Sequence, residues 1–215
     1  MKLFTYFRSS AAWRLRIALN LKGIAWTPAF VHLLKDGGEQ HGAAFRATNP
    51  LGLVPALETD EGAVLTQSLA IIEWLEETHP RPRLLPDDKL LRARVRAFAL
   101  AIACDIHPLD NLRVLRYLKR DMGQKQHEID AWYRHWIAEG LPSLEAAVAR
   151  QGGPGPWCFG SAPGLADVVL IPQLGNARRL DCPLSGFPLL LRAEAAASVH
   201  PAFVAAAPTS QPDAN

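Results

Sequence analysis

The chain has 215 residues, of which 49% are hydrophobic and 20% charged, with a formal net charge of +2. That length supports one large domain or two modest ones, each with its own core, and so small a charge gives no pull toward nucleic acid or an anionic membrane. No apolar run is long enough to span a bilayer, and the apolar start at Met1–Phe7 is closed by Arg8 before it reaches signal-peptide length. A cytoplasmic protein is therefore expected. Cys104, Cys158 and Cys182 are widely spaced and form no CxxC, so they read as structural, and the scattered histidines predict no metal site. No internal repeat is visible.

Lys2–Phe7 reads as a first strand, and Ala11–Lys22 as a helix stopped by Gly23. Trp26–Leu33 reads as a second strand, followed by a polar, Gly-bearing loop over 34–48. Val54–Leu57 opens a third strand, Glu61-Gly62 is a hairpin turn, and Ala63–Leu65 a fourth strand. Ser68 is placed to cap a helix over Leu69–Thr78. This order predicts a small α/β domain over 1–82. The segment Arg81–Pro86 reads as a linker. Strand signals then vanish. Helices are expected at Lys89–Cys104, Asp110–Asp121, Glu128–Ala138, Leu144–Arg150, Leu165–Arg179 and Ala193–Ser198, with a Gly/Pro loop over 152–156 and a frayed tail over Pro208–Asn215. Residues 83–215 thus form an all-α domain.

Three places stand out. Ser9 and Ser10 lie between a strand and a helix, where unpaired N–H groups and a partial positive charge favour a thiolate that a hydroxyl can also hydrogen-bond. Val54-Pro55 begins a strand, where a cis bond would present the Val54 backbone to an extended peptide. Gln67-Ser68 precedes another helix, a suitable seat for a carboxylate. Each has a plain alternative: the serines as caps, the proline as an edge-strand residue.

Taken together, their order and spacing resemble the glutathione transferases. The stretch Phe7–Leu19 (FRSSAAWRLRIAL) looks specifically like the zeta class, which contains maleylacetoacetate isomerase and the bacterial maleylpyruvate isomerases. Asn49-Pro50, Leu65–Ser68, Asp105–Pro108, Asn111, Pro172-Gln173 and Ala177–Arg179 extend the likeness over essentially the whole chain. The resemblance implies a thioredoxin-like N-terminal domain with a helical C-terminal domain, glutathione as cofactor, and a homodimer. It implies that Ser9 or Ser10 hydrogen-bonds the glutathione thiolate and that Val54 pairs with the tripeptide beside a cis Pro55. Gln67 and Ser68 would hold the γ-glutamyl carboxylate, and His32, His107 and Asn111 would surround the tripeptide. Arg8, Arg113 and Arg179 would face a small dicarboxylic keto acid, with Arg8 also part of the catalytic group. Two departures are visible. Ala11 stands where zeta enzymes often carry cysteine, which removes any route needing a protein thiol there, and Gly164 replaces the usual hydroxyl cap before Leu165-Ala166-Asp167.

The chemistry so implied is cis–trans isomerisation of maleylpyruvate or maleylacetoacetate to the fumaryl isomer in aromatic catabolism. It needs a thiolate at neutral pH, positive charge where the substrate oxygen gains electrons, and forked donors for carboxylates. A broad-specificity glutathione S-transferase or peroxidase, and a non-catalytic module of the same fold, are the alternatives. Arg14, Arg16, Arg92, Arg94 and Arg96 read as solvated surface charges, and Trp74 and Phe98 as residues at or near a subunit contact.

Overall fold

The structure is a computed structural model that describes residues 1–151 and 153–214. Gly152, expected to open the Gly/Pro loop, and Asn215, expected in the tail, lie outside the described residues. The chain forms two compact units: Met1–Leu84 together with the chain from Ser198 onward, and Leu85–Ala197.

The first unit is built on strands β1 (Lys2–Thr5), β2 (Thr27–Phe30), β3 (Ala56–Glu58) and β4 (Val64–Thr66), in the order β2-β1-β3-β4. β2 runs parallel to β1 and β3 antiparallel. The parallel pair needs a crossover, and helix α1 (Ser10–Leu21) supplies it. Its Ala12, Leu15, Ile17, Ala18 and Leu19 are buried with Leu3 and Leu57 of the sheet. The β3–β4 hairpin turns at Gly62, whose φ of 84° suits a residue without Cβ. Short helix α2 (Ala43–Thr48) and helix α3 (Ser68–Thr78) complete the expected order.

The second unit is all helical: α4 (Lys89–Leu100), a π-helical turn (Ala101–Ile106), α5 (Leu112–Arg120), α6 (Gln126–Gln151), α7 (Leu165–Arg179) and α8 (Pro188–Val199), whose last two residues belong to the first unit. Asp88 caps α4 by accepting from Leu91 N–H at 2.7 Å. Ile102, Ile137, Leu141, Val169, Leu170 and Leu174 lie in its core. Among the described residues, no helix is long and apolar enough to cross a membrane.

Several expectations are corrected. The helices expected at Glu128–Ala138 and Leu144–Arg150 are one helix, α6, with Gly140 and Pro142 inside it. Ile137, Leu141, Leu144 and Val148 recur on one buried face, and that burial outweighs the cost of an interior proline. Gly140 faces the π-helical turn, where a Cβ would meet Ile106 Cδ1 at 2.2 Å. The last helix is longer than Ala193–Ser198 and is followed by α9 (Pro201–Ala206).

Nor is the tail frayed. It forms 3₁₀ turns at Pro208–Ser210 and Pro212–Ala214. Gln211 is buried, its amide donating to Ala205 and Ala207 carbonyls at 2.9 and 3.0 Å. The segment from Ser198 packs with the first unit, so a boundary at 82/83 does not collect all later residues into the helical unit. Phe98 is no surface residue: it is buried edge-to-face on Phe159. Arg14 and Arg16 are 2% and 0% exposed, not solvated. Arg16 is tolerated inside because its guanidinium meets Thr5 Oγ1 (2.9 Å) and the carbonyls of Tyr6 (3.3 Å), Phe7 (3.0 Å) and Ala206 (3.0 Å). Desolvation lowers its pKa only to about 10, so it stays charged at neutral pH.

Candidate active site

Strand register brings three of the singled-out places to one edge of the sheet. Phe4 of β1 is opposite Ala56 of β3, and Ala56 is opposite Thr66 of β4. Thr5 is opposite Phe30 of β2. The residues just past the C-terminal end of β1 (Arg8, Ser9, Ser10), just past β2 (His32), just before β3 (Val54, Pro55) and just past β4 (Gln67, Ser68) therefore share that edge. Beneath them Tyr6, Val31, Phe45 and Val54 form a small core with Phe4, Phe7 and Leu33 packed against it.

Each place has its own local cause. Ser9 is the N-cap of α1, its hydroxyl oxygen accepting from Ala12 N–H at 3.2 Å. That bond uses an oxygen lone pair and leaves the hydroxyl hydrogen free to donate. Ser9 is half-buried, whereas Ser10, one residue into the helix, is buried. Arg8 is exposed beside them. His32 Nδ1 accepts from the backbone N–H of Leu34 (3.2 Å) and Lys35 (2.8 Å). With Nδ1 an acceptor, the ring hydrogen is on Nε2.

Val54–Pro55 is cis, and Val54 lies outside the β1–β3 ladder, which begins at Ala56. Asn49 shapes the approach to it, donating to Leu53 C=O at 2.7 Å and accepting from Leu51 N–H at 3.2 Å. Gln67, not Ser68, is the cap residue of α3; Ser68 is the first helical residue and is buried. Gln67 adopts φ 67°, ψ 112°, a conformation costly for a side chain with Cβ and typical of sites where function holds the backbone.

Family models match this chain in two blocks: the glutathione S-transferase N-terminal domain over residues 8–78 and the glutathione S-transferase C-terminal domain over 130–202. The maleylacetoacetate isomerase of Pseudomonas aeruginosa is 48% identical, covering 99% of this chain and 98% of that protein. The chain belongs to the glutathione S-transferase family. A solved holo structure of maleylpyruvate isomerase, described as a bacterial zeta-class glutathione S-transferase, superposes with a TM-score of 0.96 at 46% identity over all of both chains. The maleylacetoacetate isomerase of Methylobacterium extorquens AM1, solved with malonate and glutathione, gives 0.94 at 39% identity, again over all of both chains.

The remaining candidates of this glutathione S-transferase lie in the second unit. Asn111 caps α5, accepting from Arg113 N–H at 3.1 Å, and its amide nitrogen is 3.5 Å from His107 Nε2. Arg113 is exposed in the first turn of α5. Arg179 ends α7, exposed, with its guanidinium 5.7 Å from the Tyr133 ring centroid. Burial pushes the Tyr133 phenol well up, with the Arg179 charge opposing. Arg179 also acts on a buried acid. Asp110 is buried with both carboxylate oxygens lacking a hydrogen-bond partner among the described residues. Burial pushes its carboxyl up to about 8, against the pull of Arg179. Asp110 opens the helix expected over Asp110–Asp121, where an acid reads as an ordinary helix-start residue, so no sequence signal marks it.

At the start of α7, Asp167 does organise the turn despite Gly164. Its carboxylate accepts from Gly164 N–H and Cys158 N–H, each at 2.9 Å. Cys158 is buried and its thiol pushed up by burial and then by Asp167, which makes it inert. Cys182 is likewise buried and raised, while Cys104 is exposed on the π-helical turn.

Proposed function

We propose that this chain is a glutathione-dependent cis–trans isomerase acting on a maleyl keto acid, maleylpyruvate or maleylacetoacetate, to give the fumaryl isomer. The observation that carries the reading is the convergence, at the C-terminal end of β1, of a helix N-terminus, a hydroxyl free to donate, a strand-like backbone outside its ladder and a strained helix-start turn. Glutathione is an extended tripeptide with a central thiol and terminal carboxylates, and each feature suits one of its parts. Ser9 suits the sulfur, Val54 the cysteinyl backbone beside Pro55, and Gln67 with Ser68 the γ-glutamyl carboxylate at the start of α3. His32 Nε2–H, His107 and Asn111 offer further polar contacts.

Bound glutathione supplies a thiolate that adds to the substrate's conjugated double bond and leaves it again, so that rotation occurs about a single bond in between. Ser9 donates its hydroxyl hydrogen to the sulfur while its oxygen stays committed to Ala12 N–H. The N-terminus of α1 adds positive potential there, so the anion is favoured at neutral pH. Arg8, next in sequence, offers charge for the substrate oxygen that gains electrons, and Arg113 and Arg179 offer forks for carboxylates. The half-buried position of Ser9 against the buried Ser10 favours Ser9 as the sulfur donor. A homodimer in the cytoplasm belongs to the same reading and is checked by sedimentation.

The deciding assay follows ultraviolet absorbance with each maleyl substrate, with and without glutathione. Glutathione-dependent formation of the fumaryl product is expected, and the ratio of rates names the substrate. No conversion of either by protein that binds glutathione would leave a broad-specificity transferase as the better account. Ser9→Ala lowers kcat by about a hundredfold, the scale of one lost donor to a reacting anion, and Ser10→Ala by much less.

A further inference from the structure

The loop that carries Arg8 and Ser9 is held at both faces of a single residue. Phe7 N–H donates to Asp213 Oδ2 at 2.9 Å, across 206 positions of sequence. Phe7 C=O accepts from buried Arg16 at 3.0 Å. Arg16 also holds Tyr6 C=O and reaches Ala206 C=O, and Ser9 N–H closes the loop on Tyr6 C=O at 3.0 Å.

The tail that delivers Asp213 is itself anchored. Asn20 of α1 donates to Ala202 C=O at 3.1 Å, and Gln211 and Ser210 bond back to carbonyls of the Val204–Ala207 stretch. Asp213 thus stands on a braced segment within the first unit, its second oxygen buried without a hydrogen-bond partner among the described residues. An exposed polar tail with no task would put that carboxylate in water.

We infer that Asp213 is a positioning residue: by accepting from Phe7 N–H it sets the path of the Phe7–Ser9 loop and so the placement of the Ser9 hydroxyl against the sulfur. This rests on the reading of Ser9 given above. Among the described residues the carboxylate makes one hydrogen bond, to a backbone N–H two residues before the reacting hydroxyl, and its charge also supports that of buried Arg16. Its role is that of an acceptor, which an amide oxygen can fill and a methyl group cannot.

The test uses the full chain with Asp213→Ala and Asp213→Asn, read by kcat and by the pH dependence of thiolate absorbance in the complex with glutathione. Asp213→Ala is expected to lower kcat about tenfold, within the range that small misplacements cost, and to move thiolate formation to higher pH. Asp213→Asn is expected to restore both. Wild-type kcat and thiolate titration in Asp213→Ala would overturn the inference. So would an Asp213→Asn variant as impaired as Asp213→Ala, since the acceptor would then not be the role. If Asp213→Ala does not fold, Asp213→Asn alone decides: a normal titration supports the inference and a shifted one overturns it. Ser9→Ala separates the two levels, because an unchanged thiolate titration there removes the reading of Ser9 whatever Asp213 does.

Discussion

Two buried clusters, one from each unit, differ in how their polar groups are satisfied. In the first unit, Arg16 and Lys22 are buried cations whose side-chain nitrogens all meet acceptors. Lys22 Nζ meets Glu76 Oε2 at 2.7 Å and the carbonyls of His79 and Pro82 at 2.7 and 3.0 Å. In the second, Asp110 and Gln173 are buried with side-chain oxygens, and in Gln173 also the nitrogen, lacking partners among the described residues. The consequence for charge is direct. Arg16 stays charged at neutral pH, with a pKa of about 10, whereas Asp110, raised to about 8, is mostly neutral there. An interior ionisable group keeps its charge when its ordinary pKa lies far from neutrality and hydrogen bonds offset part of the cost of burial. Arg16 braces the loop ahead of α1, and Lys22 ties the end of α1 to Glu76, His79 and Pro82.

The sharpest way to break this contrast is Arg16→Met. It strips four acceptors of their donor, and a loss of about 3–5 kcal/mol is expected by urea unfolding, as when one partner of a buried charged network is removed. A loss under about 1 kcal/mol would mean that the network does little.

Asp110→Asn tests the other side. Between the ordinary carboxylate range and about pH 8 the unfolded chain has released this proton while the folded chain holds it. Stability therefore falls as pH rises through that window and is level above it. Asn has no proton to lose, so the variant's advantage is near zero at pH 4 and greatest at pH 8 and above. There about 2 kcal/mol, or about 4–8 °C in thermal midpoint, is expected. An equal effect at both pH values would refute a raised pKa.

The smallest effect is expected for Gln173→Met, which replaces an unpartnered buried amide by an apolar chain of similar length. Stability should be unchanged or higher by up to about 1 kcal/mol in the same urea experiment. A clear loss would reveal partners for the amide, and the contrast with Arg16 and Lys22 would then rest on Asp110 alone.

Much of the scaffold was legible. The order of strands and helices in the first unit and helix α7 at Leu165–Arg179 follow from local signals: alternation, helical spacing, caps and turn residues. The cis Val54–Pro55 bond is what the family resemblance implies. The places around Ser9, Val54 and Gln67 could be singled out because strand-to-helix junctions are local too. The misses share a cause. α6 was divided at Gly140 and Pro142 because breakers are judged by propensity, whereas a buried face and the approach of Ile106 kept the helix whole. Burial of Arg14 and Arg16 and the ordering of the tail depend on partners far away in sequence, so no local signal shows them.

The sequence by itself determined the element order and the residue types at the sheet edge, since these depend on periodicity and on neighbours a few positions apart, and its motifs carried the family resemblance. Only the tertiary structure decided that Arg16 is interior, that Asp213 reaches Phe7, and that Asp110 lies buried under the influence of Arg179. Each depends on which groups meet after the chain has turned back on itself. A charged side chain has no fixed preference for the interior until its hydrogen-bond partners are in place.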